Sequence, residues 1–340
     1  MEQNILQLHP GLVLGFAVTI IIMLLLDLGL FNKRSHVVST KEAAIWTLVW
    51  ISLAMIFSGV VYHVFNHDIG GHNLAIEKFT QFQAAYWIEK ALSVDNLFVF
   101  ILVFSYFKVP RELHHKVLFY GIIGALVFRA IFIFAGIGII NLTYLPEIDL
   151  FGKAVEINLV LTLFGIFLIY AGIKSWGGGN NNEEEKDFSK SAGAKFVRKL
   201  YKVTDQYDGN KFFTLKNGVK IATPLLVVVS VIEFTDVLFA VDSIPAIFAV
   251  SRDPFILYTS NIFAILGLRS LYFLLSNFIH VFSKLQYGLS IILTFIGIKM
   301  IISPWHHVPS PVSLGIVGGV LMISVTASLI IPDKKEEATE

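Results

Sequence analysis

Two stretches of this chain carry acidic residues inside apolar sequence, and they resemble each other. The first reads YWIEKALSVDNLFVFILVF, residues 86–104, and the second VSVIEFTDVLFAVDSIPAIFAV, residues 229–250. Aligning Glu89 with Asp236 brings Asp95 onto Asp242, each second acid following a valine and preceding a small polar residue, Asn96 or Ser243. Glu233 is an extra acid in the second copy. A carboxylate at the centre of a bilayer costs roughly 3 kcal/mol on insertion scales, so acids kept there in two copies point to a use, and the first reading is a cation site. On a helix six residues turn about 600°, which sets Glu89 and Asp95 about 120° apart. Glu89 shares a face with Ser93 and Asn96, and Asp236 with Glu233 and Ser243. Pro245 cannot donate to the carbonyl of Val241, so the second stretch is expected to break beside Asp242 and free backbone oxygen there.

The candidate ligands are Glu89, Asp95, Asn96, Glu233, Asp236 and Asp242, with hydroxyls and carbonyls beside them. This is a hard, all-oxygen shell, suited to Mn²⁺, Ca²⁺ or Mg²⁺ rather than Zn²⁺ or Cu⁺. Histidine is absent from the core of both stretches and cysteine from the whole chain. One divalent ion leaves surplus negative charge, which protons or Arg129 and Arg269 balance, and this favours coupling to H⁺. The competing structural reading makes these buried ion pairs: Arg129 and Arg269 with Asp95 and Asp242, and Lys90 with Glu89. Such pairs are costly and poor stabilisers. Asp27 falls near an apolar run's end. His63, His67, His72, His306 and His307 are either a metal-gathering mouth or polar loop filler.

The elements that must hold these residues are read from hydropathy. The chain has 340 residues, 55% of them hydrophobic, and a mean hydropathy of +0.72, outside the range of a soluble domain. With no cysteine, disulfides and thiol chemistry are excluded, and a net charge of +1 argues against a nucleic-acid partner. Nine apolar runs are long enough to cross a bilayer: 10–31, 43–62, 84–107, 116–140, 156–175, 222–250, 255–280, 285–303 and 311–332. The first is too long for a signal peptide and lacks a basic flank and a cleavage site, so it reads as a retained span. Loops 32–42, 108–116 and 176–221 and the tail are basic, the third with nine Lys and Arg. The alternate loops 63–83, 141–155, 251–254 and 304–310 carry one basic residue or none. That bias puts the N-terminus outside and the C-terminus in the cytoplasm.

Within the long inner loop, GGGNNNEEEKD at 177–187 reads as a linker. AKFVRKLYKV at 194–203 puts Phe196, Leu200 and Val203 on one face, suiting a helix on anionic lipid. FFTLKNGVKIAT at 212–223 alternates around Asn217-Gly218, a hairpin signal. Three landmarks recur in order: the acid pair, a buried arginine (Arg129, Arg269) and a Gly-Ile-Lys ending in Lys174 or Lys299, spaced 147, 140 and 125 residues apart. Three spans per copy put the second upside down, the inverted-repeat plan of secondary transporters. The expected organisation is an all-α polytopic membrane protein: an N-terminal helix pair and outer loop over 1–83, a first repeat over 84–176, a cytoplasmic loop over 177–221, a second repeat over 222–303 and a C-terminal helix and tail over 304–340.

EKALSVDNLFVF, ATPLLVVVSVIEFTDVLFAVDSIPAIFAVSRDPF and YTSNIFAILGLRSLYFLL resemble the signature segments of the TerC/Alx family, over roughly residues 80–305. The resemblance implies manganese export within the wider LysE-like transporter group, with Glu89, Asp95, Glu233, Asp236 and Asp242 as functional acids. The family is named for tellurite resistance, but an acidic site argues against an oxyanion ligand. The expectation is a proton-coupled Mn²⁺ exporter of a bacterial-type inner membrane. Mn²⁺ would be its cargo rather than a permanent cofactor, and lipid its surroundings. A homo-oligomer or membrane-complex partner stays open. A membrane scaffold or assembly factor is the alternative. With no HExxH and no serine–histidine pairing evident, an enzyme is not expected.

Overall fold

The computed structural model describes residues 10–31, 39–150, 153–177, 187–216, 218–277, 285–306 and 308–330. The side chains of Asp27, Asp95 and Asp242, and His307, Asn217 and most of the 177–187 linker, lie outside the described set. Helices dominate: α1 Pro10–Phe31, α2 Thr40–Val64, α3 Gly71–Tyr106, α4 Arg111–Leu142, α5 Leu159–Gly177, α6 Ala192–Leu200, α7 Pro224–Phe248, α8 Pro254–Leu266, α9 Leu268–Asn277, α10 Leu285–Ile302 and α11 Ser310–Ile330. Local signals fix several starts. Ser39 caps α2 by accepting the Glu42 N–H at 3.3 Å. Pro224 and Pro254 open α7 and α8, where a missing N–H costs nothing. Asp253 caps α8 by accepting the N–H groups of Phe255 and Ile256.

Among the described residues seven segments are long and apolar enough to cross a membrane: Thr40–Ile69, Arg111–Leu142, Leu159–Trp176, Pro224–Phe248, Pro254–Ser276, Leu285–Ile302 and Ser310–Ile330. The other two expected runs are helical as well. Helix α1 runs Pro10–Phe31, with side chains described as far as Leu25, and α3 carries Glu77, Lys78, Glu89, Lys90 and Asp95 along its length. With 36 residues, α3 is about 54 Å long, well beyond a hydrocarbon core of about 30 Å. The expected outer loop 63–83 is therefore mostly helix. A π-helical turn, Phe65–Ile69, and the positive φ of Gly71 turn α2 directly into α3.

Two expectations about helix breaks are corrected. Pro245 does not break its helix, because α7 continues to Phe248. Pro245 removes one ladder bond, the one to the Val241 carbonyl, and the helix runs on past it. The interruption falls instead in the seventh run, at Gly267 between α8 and α9. The 212–223 hairpin forms as read, with β3 (Phe213–Lys216) pairing β4 (Val219–Ala222) and Gly218 at φ 77°. A further hairpin, β1 (Ile148–Leu150) with β2 (Lys153–Val155), occupies the loop after α4. Helix α6 ends at Leu200, so Val203 is not on its face and instead bridges Ala222. Gly193, Ala194 and Val197 bury against α7, while Phe196 and Leu200 point outward.

The bundle is built around α3 and the α8–α9 pair. Buried residues make up 94% of the Pro254–Ser276 window but only 22% of those in α4, α5 and α11. Outward apolar side chains such as Val127, Ile131, Leu163 and Ile323 leave those helices with a lipid-compatible surface. Helix α3 packs on α7 and α8, α4 packs on α7 and α8, and α5 lies along α10.

Candidate functional site

Glu89, Arg129 and Asp236 stand near the middles of α3, α4 and α7, and the packing of those helices brings them together. Arg129 and Glu89 are fully buried and Asp236 nearly so. Arg129 Nη1 donates to Glu89 Oε1 and to Asn261 Oδ1 at 3.1 Å. Its Nη2 lies 3.6 Å from Asp236 Oδ1, an ion pair too long for a hydrogen bond. Asn261, buried in α8, also donates through Nδ2 to Glu89 Oε2 at 3.0 Å. One turn along α3, Ser93 donates to Glu89 Oε1 at 3.2 Å. Glu89 is thus held through both oxygens by three donors from three helices.

The α7 side is held less completely. Asp236 Oδ2, Glu233 Oε2 and Ser243 Oγ are buried and without hydrogen-bond partners. Asp236, Glu233 and Ser243 share the α7 face that their spacing specifies, as Glu89, Ser93 and Asn96 share one of α3, where Asn96 is also buried. Glu233 reaches across to α4 at Gly124, where an added Cβ would fall 1.8 Å from Glu233 Oε2. Arg269 is buried beside Asp236 along a small cavity that Phe100, Leu118, Ile232 and Ile265 help to line.

The pairings of the structural reading change. Arg129 engages Glu89 and Asp236. Lys90 does not pair with Glu89; its ammonium donates to the Ala264 carbonyl at 3.3 Å, beside the break at Gly267, where an added Cβ would meet Lys90 Nζ at 2.6 Å. Breaking a helix leaves carbonyls without N–H partners, and a buried ammonium is a strong donor for them. Sequence reasoning missed Asn261, whose signal was an amide following Thr259 and Ser260 in an otherwise apolar span, directly before the run IFAIL. It also missed the tie of α3 to the α7–α8 turn: Lys78 to Asp253 at 2.8 Å and Ser251 to Gln81 at 2.8 Å, all buried.

Among the described residues no group of three or more His, Asp or Glu is placed to hold a metal ion. Between Glu89 and Asp236 the intervening cation is the guanidinium of Arg129. Asp95 and Asp242, the remaining acids of the candidate set, fall outside the described side chains. The His63 and His67 rings lie 4.5 Å apart, and His72 shares a hydrogen bond with Tyr62.

Comparison with known proteins places this architecture among relatives. The model of the integral membrane protein TerC family matches residues 74–336. A membrane protein of Myxococcus xanthus, described as uncharacterized, is 43% identical over 321 residues, 94% of this chain and 92% of that protein. The putative membrane-bound redox modulator Alx of Escherichia coli K12 is 43% identical over 311 residues, 91% of each chain. A membrane protein of Rickettsia bellii is 36% identical over 315 residues, 93% of this chain and 96% of its own length. No solved structure matches the chain.

Proposed function

The chain belongs to the integral membrane protein TerC family, and on that premise we propose that it is a secondary transporter moving a hard divalent cation, Mn²⁺, out of the cytoplasm in exchange for protons. The observation that carries this reading is the meeting of Glu89 and Asp236, from corresponding stretches far apart in sequence, at mid-helix depth. Acids kept at that depth are costly, and they mark substrate or ion paths and proton relays. An oxygen-only site also suits Mn²⁺, and protonation of its carboxylates would release the ion, which supplies a coupling to H⁺.

An inverted repeat of α3–α4–α5 and α7 through α10 is part of the proposal. Two features support it. Contacts occur in exchanged pairs, α3 with α8 and α7 with α4. In the α5–α10 contact, a Cβ on Gly297 would fall 2.6 Å from the Gly165 carbonyl, and one on Gly172 2.8 Å from the Ser290 carbonyl. Gly172 and Gly297 belong to the two Gly-Ile-Lys landmarks, and Gly165 and Ser290 each lie two turns earlier. A two-fold rotation turns one contact into the other.

The satisfied grip on Glu89 favours one competing reading, a membrane scaffold in which Arg129 is a permanent brace. Purified protein in liposomes separates the two. Mn²⁺ flux driven by an imposed pH gradient should exceed that of Zn²⁺, and should vanish in Glu89→Gln and Asp236→Asn at matched reconstitution. Flux at the wild-type level from both variants would remove the transporter reading.

A further inference from the structure

We infer that Arg129 is a built-in substitute for the transported cation: it occupies the place between Glu89 and Asp236 while the site is empty, and leaves at least one of them when a divalent ion binds. This rests on the transporter reading and changes the part Arg129 plays in it. A charge-balancing arginine would sit beside a bound ion and remain in place. The geometry has it between the two acids, where an ion shared by the α3 and α7 stretches would have to lie.

Three observations separate an exchangeable occupant from a fixed brace. The guanidinium is fully buried, yet its Nε and Nη2 have no hydrogen-bond partner. A brace would use its fork bidentately and satisfy those donors. Its hold is also unequal: a hydrogen bond to Glu89, but only a 3.6 Å ion pair to Asp236, whose Oδ2 is buried without a partner. Lastly, Asn261 touches both Arg129 and Glu89, so it can keep Glu89 oriented after the arginine withdraws.

The chemistry gives the exchange a purpose. A carrier must return through the membrane without its ion, and two bare carboxylates in that core are costly. Arginine remains protonated throughout, so it offsets one of the two carboxylate charges of the empty site regardless of pH, and one proton suffices for the other. A dication brings twice the charge to the same acids and can displace it. Cargo and Arg129 then alternate, and the return step does not require both acids to be protonated.

Two measurements test this on the full chain. Infrared difference spectra, with and without Mn²⁺, are taken on wild-type protein labelled with ¹³C,¹⁵N-guanidino arginine. A carboxylate change together with a guanidinium band shift is expected, the latter absent from Arg129→Lys. Mn²⁺ titration should show Arg129→Gln binding at least about tenfold more tightly, the lower end of what a charge a few ångströms away does to a carboxylate, while its pH-driven flux falls. A carboxylate change without any guanidinium shift overturns the inference and leaves the transporter reading standing. Neither change, with no Mn²⁺ bound by wild-type protein, overturns both. Should the Arg129 variants fail to fold, labelled Arg269→Lys assigns the band: a guanidinium shift that persists there supports the inference, and one that disappears belongs to Arg269 and overturns it.

Discussion

Gly124 has no side chain, and the Glu233 carboxylate fills that space. An alanine there would meet the free end of a flexible side chain, not backbone, so the fold can yield by turning the carboxylate away. Gly124→Ala should therefore keep wild-type thermal stability while impairing Mn²⁺ flux as much as Glu233→Gln does. The double variant should lose little more than either single one, because both changes remove the same group. Flux at matched reconstitution is the measurement, and full activity in Gly124→Ala would detach Glu233 from function. At this scale the sequence disclosed residue types but not partners. Glu89 and Arg129 were both conspicuous, yet nothing in their spacing linked them, and Lys90, adjacent to Glu89 in the chain, turned to the Ala264 carbonyl instead.

Two helix contacts carry predictions of their own. Lys78 and Asp253 tie α3 to the start of α8 in a buried pair. Lys78→Met leaves Asp253 without its counter-charge and should cost about 3 kcal/mol, the usual penalty for breaking such a pair. Asparagine at 253 removes the charge but keeps the helix cap, so Lys78→Met/Asp253→Asn should recover part of that loss in thermal unfolding. The α5–α10 contact predicts the opposite kind of coupling. Gly165→Ala and Gly297→Ala each push a Cβ to within 3 Å of the facing carbonyl and should each destabilise by about 1–3 kcal/mol. Once one has forced the helices apart the other meets less resistance, so the double variant should cost clearly less than the sum. Additivity would mean the contact does not act as one interface. The glycines were visible as part of the Gly-Ile-Lys landmarks; that they face each other was not.

For the whole molecule, the alternating basic loops predict an external N-terminus and a cytoplasmic C-terminus, and the absence of cysteine makes this directly testable. Asn180→Cys should resist a membrane-impermeant thiol reagent in intact cells, and Asp68→Cys should react. The reverse pattern would invert the topology and with it the direction of export. The apolar outer surfaces of α4, α5 and α11 fit a bundle whose periphery meets lipid and whose polar groups are gathered inward.

Hydropathy was enough to specify a polytopic helical membrane protein, because a segment in hydrocarbon must satisfy its backbone internally and so must be apolar and helical over a fixed length. It was enough, too, to single out Glu89, Glu233 and Asp236, since an acid in such a run is conspicuous against its neighbours. Helix breaks and pairings were beyond it. Whether Pro245 or Gly267 interrupts a helix depends on what fills the gap, and at Gly267 the filling group is Lys90, from a helix more than 170 residues earlier. Which cation faces which carboxylate depends on how α3, α4, α7 and α8 turn about their axes as they pack. That rotation is set by summed contacts between side chains distant in sequence, and it is what puts Arg129 between Glu89 and Asp236.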